Sequence, residues 1–473
     1  MQNPELTEIA QGRVGDFKKL QAEGLIPLSG QFFPSVHYPP ITMYPPIDEA
    51  TLFSGYKNPP GNLFDIYVHI PFCIRYCNFC HYPNIIGATL QEKDRYLQAL
   101  DQEMDIYLRR LGIKQVKARS ILVGGGTPTH LAPAQLERFL QTFTAKIDRA
   151  SHLQFNYDVD PSTLLGKDGE ERLRILKAHG VNRLTIGIQS LNDSILSKMN
   201  RAHTRSEALE SIKQAKANGF QLCIELIYGY CGETLESWLS TIRTAVTLEA
   251  EEIQLYHVKT IPYGDHSGPI SQHFKERRDD FPSLEEVVMM KGIAQTLLAE
   301  QGYHENLTRV FTKKPEDFSH YASNQCCFLL DEIGLGLTAF SSLRDRFGLN
   351  TQNMEDYYAA LSRDSLPLNR GLVRTKDDQM RWHVILPLKN RRVYKNLYQK
   401  GTGDSLDRVF RKKIERLKGS GLLCEDDKMI ALTPLGRFFA DAVCIQFHHP
   451  RYMPLPRSAY SNGPLNPYND PEP

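Results

Sequence analysis

Short apolar segments alternate with longer amphipathic segments between about residues 63 and 302. The apolar segments are rich in β-branched and aromatic residues, which favour strands, and the intervening segments repeat apolar residues at helical spacing. The predicted strands cover residues 64–70, 120–125, 153–160, 182–189, 222–229 and 252–258. The predicted helices cover residues 91–111, 133–148, 168–179, 205–218, 234–248 and 284–301. Six such repeats indicate an α/β fold with a parallel sheet, either doubly wound or curled into a barrel.

The main sequence motifs fall at the carboxyl ends of the predicted strands. Cysteines follow the first strand, glycines end the second, and acidic or amide residues end the third, fourth and fifth. In a barrel, the loops at these ends carry the chemistry. This coincidence favours the barrel over the doubly wound sheet.

Four further regions flank the predicted barrel of residues 63–302. Residues 1–62 match no periodic element and are rich in proline and aromatic residues, including Phe32 and Phe33, so an extended N-terminal arm is predicted. Residues 303–374 extend the barrel and carry a glycine-rich segment. Residues 375–450 suggest a small helical or winged-helix-like domain. The proline-rich tail, residues 451–473, is predicted to be disordered.

The composition is that of a globular protein. Of 473 residues, 41% are hydrophobic and 23% are charged, and 56 basic against 55 acidic residues leave a net charge of +1. This balance gives no bulk field for nucleic acid, and no nucleic-acid partner is expected. It also argues against a strongly anionic substrate such as a tetracarboxylate porphyrinogen. No apolar run reaches the length of a membrane span, although a peripheral membrane contact stays open. The start lacks a secretory signal, and crowded cysteines indicate reduced thiols, so a cytoplasmic location is predicted.

Cys73, Cys77 and Cys80 form a C-x3-C-x2-C loop directly after the first predicted strand. A structural zinc site normally has four ligands, and no second cysteine pair matches this loop. A disulfide would leave one of the three thiols over. A [4Fe–4S] cluster held by three thiolates leaves one iron open to a small chelating molecule. The loop therefore predicts such a cluster.

This loop, preceded by YVHIPF and followed one strand later by GGGTPT, resembles the radical S-adenosylmethionine (SAM) superfamily. Within it, the chain is similar to the group typified by oxygen-independent coproporphyrinogen III oxidase, from about Tyr67 to Ala440. The resemblance implies a partial (β/α)6 barrel in which SAM chelates the open iron. It also implies a second SAM in the same pocket and an electron donor of the flavodoxin or ferredoxin type.

The resemblance also implies which residues contact SAM. Asp158 stands where the group commonly has Glu, and Glu225 stands at a usual Asp position. Phe340 would lie near the second SAM. His81 is a candidate catalytic residue that either handles protons or acts as a hydrogen-bonding spacer. The full predicted SAM-binding set is Tyr67, Phe79, Gly124, Gly125, Thr127, Asp158, Gln189, Arg201, Glu225 and Phe340.

Two departures from the group shape the functional hypothesis. The oxidase has a further Gly-Cys pair after its triplet, where this chain reads His81-Tyr82, and the haem chaperones carry a His where this chain has Ser323. These departures favour a class C radical SAM methyltransferase that modifies an sp2 carbon of a planar aromatic acceptor, with the naphthoquinone ring of menaquinone as the first choice. Porphyrinogen oxidation and haem carriage without catalysis are the alternatives. Cys326 and Cys327 are either core thiols or redox-active residues.

Overall fold

The computed structural model describes residues 3–30, 36–262 and 266–469. Two helices precede the barrel, α1 (Asn3–Ala22) and α2 (Glu49–Phe53). Phe32 and Phe33 of the predicted arm lie outside the described residues.

Strands and helices then alternate along the chain as the sequence predicts. Capping boxes mark the starts of several helices, because a Ser or Thr side chain and a Glu three residues later satisfy each other's backbone amides, as at Thr89–Glu92, Thr204–Glu207 and Ser283–Glu286. In chain order the elements are β1 (Leu63–Ile70), β2 (Phe72–Cys73), β3 (Ile85–Ile86), α3 (Leu90–Leu111), β4 (Val116–Gly125), α4 (Pro133–Ala145), β5 (Ile147–Val159), α5 (Gly166–Ala178), β6 (Arg183–Gln189), α6 (Asp193–Lys198), α7 (Arg205–Ala217), β7 (Gln221–Tyr228), α8 (Leu235–Thr247), β8 (Glu252–His257), α9 (Pro269–Glu276) and α10 (Leu284–Glu300).

The strand order identifies the architecture. β1, β4, β5, β6, β7 and β8 are hydrogen-bonded neighbours in that order, and every pair is parallel. A doubly wound sheet reverses its strand order at a switch point, whereas a barrel does not. The partial barrel is therefore confirmed, and its carboxyl ends lie along one rim.

The region after α10 adds strands to both edges of this sheet. β11 pairs in parallel with β1, and β12, β13 and β14 continue antiparallel from it, while β10 and β9 extend the sheet beyond β8. The elements are β9 (His304–Leu307), β10 (Val310–Thr312), α11 (His320–Ser323), β11 (Glu332–Leu335), β12 (Phe340–Leu343), β13 (Arg346–Asn350), α12 (Met354–Ser362) and β14 (Leu368–Val373).

The C-terminal region forms a second, smaller unit with a winged-helix-like order of elements. Its three short strands form an antiparallel sheet in the order β15, β17, β16. The elements are α13 (Lys376–Lys389), β15 (Arg392–Tyr394), α14 (Lys395–Thr402), α15 (Leu406–Gly419), β16 (Leu423–Glu425), β17 (Met429–Leu432), α16 (Pro434–Phe438) and α17 (Ala440–Ile445).

The N-terminal region differs from the extended arm that its prolines predict. α1 buries Leu6, Ala10, Phe17 and Leu20 and packs against α10, where a Cβ at Gly292 would lie 3.5 Å from the Cα of Ala10. The spacing of these four residues places them on one helical face. The stripe is too sparse to stand out as a periodic pattern among the polar residues that surround it.

The tail is also ordered where its prolines predict disorder. Tyr460, Leu465 and Asn466 are buried, and the Leu465 amide donates a hydrogen bond of 2.8 Å to the carbonyl of Glu23. Proline prevents a regular helix here without preventing packing. Residues 470–473 of the predicted tail lie outside the described residues. Across the described part of the chain, no helix has both the length and the apolar character to cross a bilayer.

Candidate active site

The cysteine loop leaves β1 at the carboxyl rim of the barrel. Asn84 lies between two of its thiols: Cys73 Sγ donates to Asn84 Oδ1 at 3.4 Å, and Asn84 Nδ2 donates to Cys80 Sγ at 3.2 Å. The third thiol is contacted from the barrel, where Arg201 Nη1 donates to Cys77 Sγ at 3.2 Å. All three cysteines are free thiols. The loop therefore presents three sulfur atoms supported by side chains from inside and outside it.

The chemistry of this donor set fits an iron–sulfur cluster. Burial raises the pKa of the Cys73 thiol to about 12 and also raises the pKa of the Cys80 thiol. A buried thiolate needs a positive partner, and a metal centre supplies one. N–H donors to sulfur, of the kind that Asn84 and Arg201 provide, are the contacts that tune such clusters. Cys73, Cys77 and Cys80 would hold the cluster.

Glycines at the end of β4, the second strand of the barrel, allow this strand to end close to the cysteine loop. A Cβ at Gly126 would lie 2.8 Å from Cys73 Sγ, and one at Gly125 would lie 2.8 Å from the His69 ring. Gly125 also has a φ of +112°, which disfavours any other residue. Gly124 packs on the Asp158 carboxylate. Thr127 Oγ1 then donates to Cys73 Sγ at 3.7 Å, so the predicted glycine segment contacts the cysteine loop directly.

Three predicted side chains meet around Gly187 on β6. A Cβ on this glycine would lie 2.7 Å from Gln189 Nε2, 3.8 Å from Glu225 Oε2 and 3.9 Å from Arg201 Nη2. Arg201 Nη2 also pairs with Asp160 Oδ2 at 2.5 Å, and both side chains are 9% exposed. The barrel therefore collects an amide, a carboxylate and a guanidinium beside the cysteine loop, a set able to bind polar groups of a ligand.

Two buried carboxylates lie close to each other in the barrel. Burial and then the charge of Glu225 raise the pKa of Asp158 well above its ordinary range. Burial likewise raises the pKa of Glu225, against the hydrogen bond that Tyr256 Oη donates to Glu225 Oε1 at 3.5 Å. Without a ligand, this pair therefore favours a state with at least one proton. Amine or hydroxyl donors would lower both pKa values.

The three predicted aromatic residues fall into two groups. Tyr67 hydrogen-bonds His69 Nδ1 at 3.0 Å and stacks on Phe340, with 6.4 Å between ring centroids. Phe79 packs instead in a separate apolar cluster with Tyr256. Tyr67 and Phe340 therefore form one wall beside β1 and β12, and Phe79 belongs to the opposite side, near β8.

The environment of His81 favours the spacer role over proton handling. Its Nε2 donates to the carbonyl of Lys259 at 2.8 Å, and its Nδ1 accepts from the amide of Gly268 at 2.9 Å. Burial lowers the pKa of the ring. Both nitrogens are engaged by backbone groups, which requires a neutral imidazole. His81 ties the segment after β8 to the cysteine loop.

Comparison with known protein families agrees with this geometry. The radical SAM superfamily matches residues 67–245, and the HemN C-terminal domain matches residues 375–439. Residues 67–245 are therefore similar to a radical SAM domain. Such a domain implies a [4Fe–4S] cluster and SAM, in agreement with the cysteine loop.

Curated relatives match this chain over most of its length. Heme chaperone HemW of Bacillus subtilis is 28% identical over 387 residues, which covers 80% of this chain and 97% of that protein. Oxygen-independent coproporphyrinogen III oxidase of Pseudomonas aeruginosa is 26% identical over 426 residues, which covers 85% and 88% of the two chains. The solved coproporphyrinogen III oxidase (HemN) of Escherichia coli has the same fold, with a TM-score of 0.74, 24% identity and coverage of 86% and 96%.

These relatives overturn part of the functional hypothesis. The class C methyltransferase with menaquinone as acceptor is wrong, because the similar proteins are oxidases and chaperones that match this chain across both of its domains. That hypothesis rested on two short departures, at His81 and at Ser323, and on the net charge. Loop residues vary more among related proteins than the strands and helices that position the site, so two loop departures are a weak basis for assigning a different function.

Three residues of the radical SAM site were missed by sequence reasoning. Asp160 pairs with Arg201, His69 contacts Tyr67 and Gly125, and Asn84 contacts two of the cysteines. The sequence contained a signal for two of them. Asp160 and His69 each follow a predicted site residue by two positions, and residues two apart in a strand lie on the same face of the sheet. For Asn84, no sequence signal distinguishes it from a loop amide.

The segment around Cys326 and Cys327 is hydrogen-bonded to β1 of the sheet. The side chains of Asn324 and Gln325 donate to the two carboxylate oxygens of buried Asp65, at 2.8 and 3.1 Å. Burial raises the pKa of Cys326 and raises that of Cys327 to about 12, so neither is a ready thiolate. Both cysteines are half-buried rather than in the core, and their raised pKa values argue against a redox role.

Proposed function

We propose that this chain is a radical SAM enzyme that acts on a tetrapyrrole, through oxidative decarboxylation of a propionate side chain to a vinyl group. The observation that carries the proposal is a complete and braced three-cysteine loop in a chain that resembles coproporphyrinogen III oxidases over 85% of its length. When bound, the cluster and SAM would supply a 5′-deoxyadenosyl radical that takes one hydrogen atom from the propionate side chain. Loss of carbon dioxide would then form the vinyl group and release one further electron, which would pass to a one-electron acceptor of the iron–sulfur type.

The residues of this chain have defined tasks in the proposal. Arg201 donates to Cys77 while Asp160 fixes its guanidinium, so the loop stays oriented relative to the barrel. Gln189 and Glu225 lie beside Arg201 and would bind the polar groups of SAM. Tyr67 and Phe340 would form the wall beside a second SAM.

The proposal is tested by anaerobic incubation of the reconstituted protein with SAM, dithionite and coproporphyrinogen III. We expect carbon dioxide, a vinyl-bearing product and 5′-deoxyadenosine. Exposed Cys424 offers a matched control, since Cys424→Ala should release carbon dioxide like the wild type, whereas Cys77→Ala should release none. An iron-loaded wild-type protein that cleaves SAM and leaves the porphyrinogen intact would reject the proposal.

A haem chaperone is the second candidate, favoured by the similarity to HemW over 97% of that protein. A haem titration separates the two functions. A Soret shift at one haem per chain, together with inert porphyrinogen, would favour the chaperone. An unshifted Soret band with carbon dioxide release would favour the oxidase.

A further inference from the structure

A cavity opens next to the ends of β7 and β8, between the barrel and the C-terminal unit. Gly229 and Lys259 line it from the barrel side, Lys291 lines it from α10, and Asp441 lines it from α17. Its apolar wall includes Leu255. No family resemblance or site prediction assigns a role to this cavity.

The lining is strongly basic. Among the described residues that line it, four are Lys or Arg, namely Lys259, Arg278, Lys291 and Arg309, and a single acid, Asp441, opposes them. Asp441 is already engaged by Lys389, with 3.0 Å between Oδ1 and Nζ. Basic side chains therefore outnumber the acid among the described lining residues, and two of them already donate to carbonyls, Lys291 to that of Phe438 and Arg278 to that of Phe281.

The positive groups act on one another at close range. Burial lowers the pKa of Lys259 well below its ordinary range, and Arg309 and Lys389 lower it further. Burial also lowers the pKa of Lys291, against the attraction of Glu305 and Asp441. An anion in the cavity would offset both the burial and the repulsion. A carboxylate with an apolar body matches the charged and apolar parts of the wall.

Two sets of contacts connect the cavity to the radical SAM site. The carbonyl of Lys259 accepts from His81, the residue next to Cys80. The Arg309 guanidinium stacks on the ring of Tyr256, at 5.0 Å from its centroid, and Tyr256 donates to Glu225. The cavity is therefore adjacent to the cysteine loop and to the carboxylate pair.

We infer that this basic cavity is a carboxylate-binding site that receives acidic side chains of the substrate, with Lys259 and Arg309 as its specificity-determining residues. The inference rests on the proposed function for the identity of that substrate, since a porphyrinogen of the proposed class carries several propionates. The anion-binding property itself depends only on the charges of the cavity.

The test measures binding of pyromellitate, a planar tetracarboxylate without pyrrole rings, by isothermal titration calorimetry. Lys259→Met and Arg309→Met should each weaken binding by about tenfold or more, because each removes a charged hydrogen-bond donor. Lys259→Arg and Arg309→Lys, which keep the charge, should retain most of the affinity. Lys213→Met, at a side chain that is 80% exposed on α7, is the matched control and should bind like the wild type.

The outcomes separate this inference from the proposed function. If the Met variants lose pyromellitate binding while the wild type releases no carbon dioxide from coproporphyrinogen III, the carboxylate site stands and the proposed function fails. If carbon dioxide release proceeds and folded Met variants bind pyromellitate and convert the porphyrinogen like the wild type, the inference is overturned and the proposed function stands. Absence of pyromellitate binding by the wild type also overturns the inference. Thermal melts establish that each variant is folded.

Discussion

The cysteine loop and the basic cavity are built in opposite ways. The loop takes its three thiols from eight consecutive residues, and its closest brace, Asn84, lies only four residues further on. The cavity takes Lys259, Lys291, Arg309 and Asp441 from four separate segments of the chain. Local spacing therefore reveals the first site, and only chain folding assembles the second. The following predictions probe each region and the contacts that join them.

Loss of one loop thiol should have the largest effect. In Cys77→Ala, two thiolates remain and no spare cysteine lies in the loop, so iron content should fall and SAM cleavage should drop at least about a hundredfold. Iron and sulfide analysis and 5′-deoxyadenosine assays measure this. Cys424→Ala should match the wild type in both. Full iron content and cleavage in Cys77→Ala would show that the loop is not the cluster site.

Arg201 joins the barrel to the loop, and its loss should affect both stability and activity. Arg201→Met removes the guanidinium partner of buried Asp160 and leaves it with His203, 3.8 Å away, and Ser162, which costs about 3 kcal/mol of unfolding free energy. It also removes the donor to Cys77, so SAM cleavage should fall about 10–100-fold. Chemical denaturation and cleavage assays measure the two effects, with exposed Arg205→Met as the control.

The stability loss in Arg201→Met should depend on pH. Burial would raise the pKa of Asp160, but Arg201 and then His203 hold it below its ordinary value of 3.8. A folded-state pKa below the unfolded value stabilises the protein above pH 3.8, and this contribution is lost as the pH falls. The difference between wild type and variant should therefore shrink under acid conditions. A constant difference would contradict the ion pair.

Glu225 should influence the pH at which SAM cleavage falls off under acid conditions, because its charge affects the pKa of Asp158. Because the charge of Glu225 raises the pKa of Asp158, Glu225→Gln should lower that pKa. The low-pH midpoint of SAM cleavage should move toward acid, while the larger effect of burial on Asp158 remains. A pH–rate profile measures the shift, and Glu210→Gln on the exposed face of α7 should leave it in place. A midpoint that stays at the wild-type pH would exclude the coupling.

His81 should give the smallest effect, although it links the two regions. As a spacer with both nitrogens on backbone groups, it should tolerate His81→Gln with less than about threefold loss of SAM cleavage, since an amide can replace such hydrogen bonds. The pH profile should be unchanged. If SAM cleavage fell about a hundredfold and one side of its pH profile disappeared, His81 would instead be a residue that transfers protons.

Whole-chain charge was a poor guide to the ligand. A net charge of +1 argued against an anionic substrate, yet the basic residues that line the cavity outnumber its acidic residue. Net charge averages over a surface on which most ions face water, whereas binding depends on the few that meet at one place. The quinone acceptor is overturned by the relatives, which are oxidases and chaperones.

Sequence patterns alone predict the barrel, the three-cysteine loop and a set of polar residues gathered at the barrel's rim. Strand and helix periodicity and C-x3-C-x2-C spacing are local properties, and parallel strands bring their carboxyl ends to one rim, which places Asp158, Gln189 and Glu225 together. Only the tertiary structure decided that α1 packs on α10 and that Asp160 holds Arg201. It alone also assembled the basic cavity, because these contacts join residues whose separation along the chain carries no periodic signal.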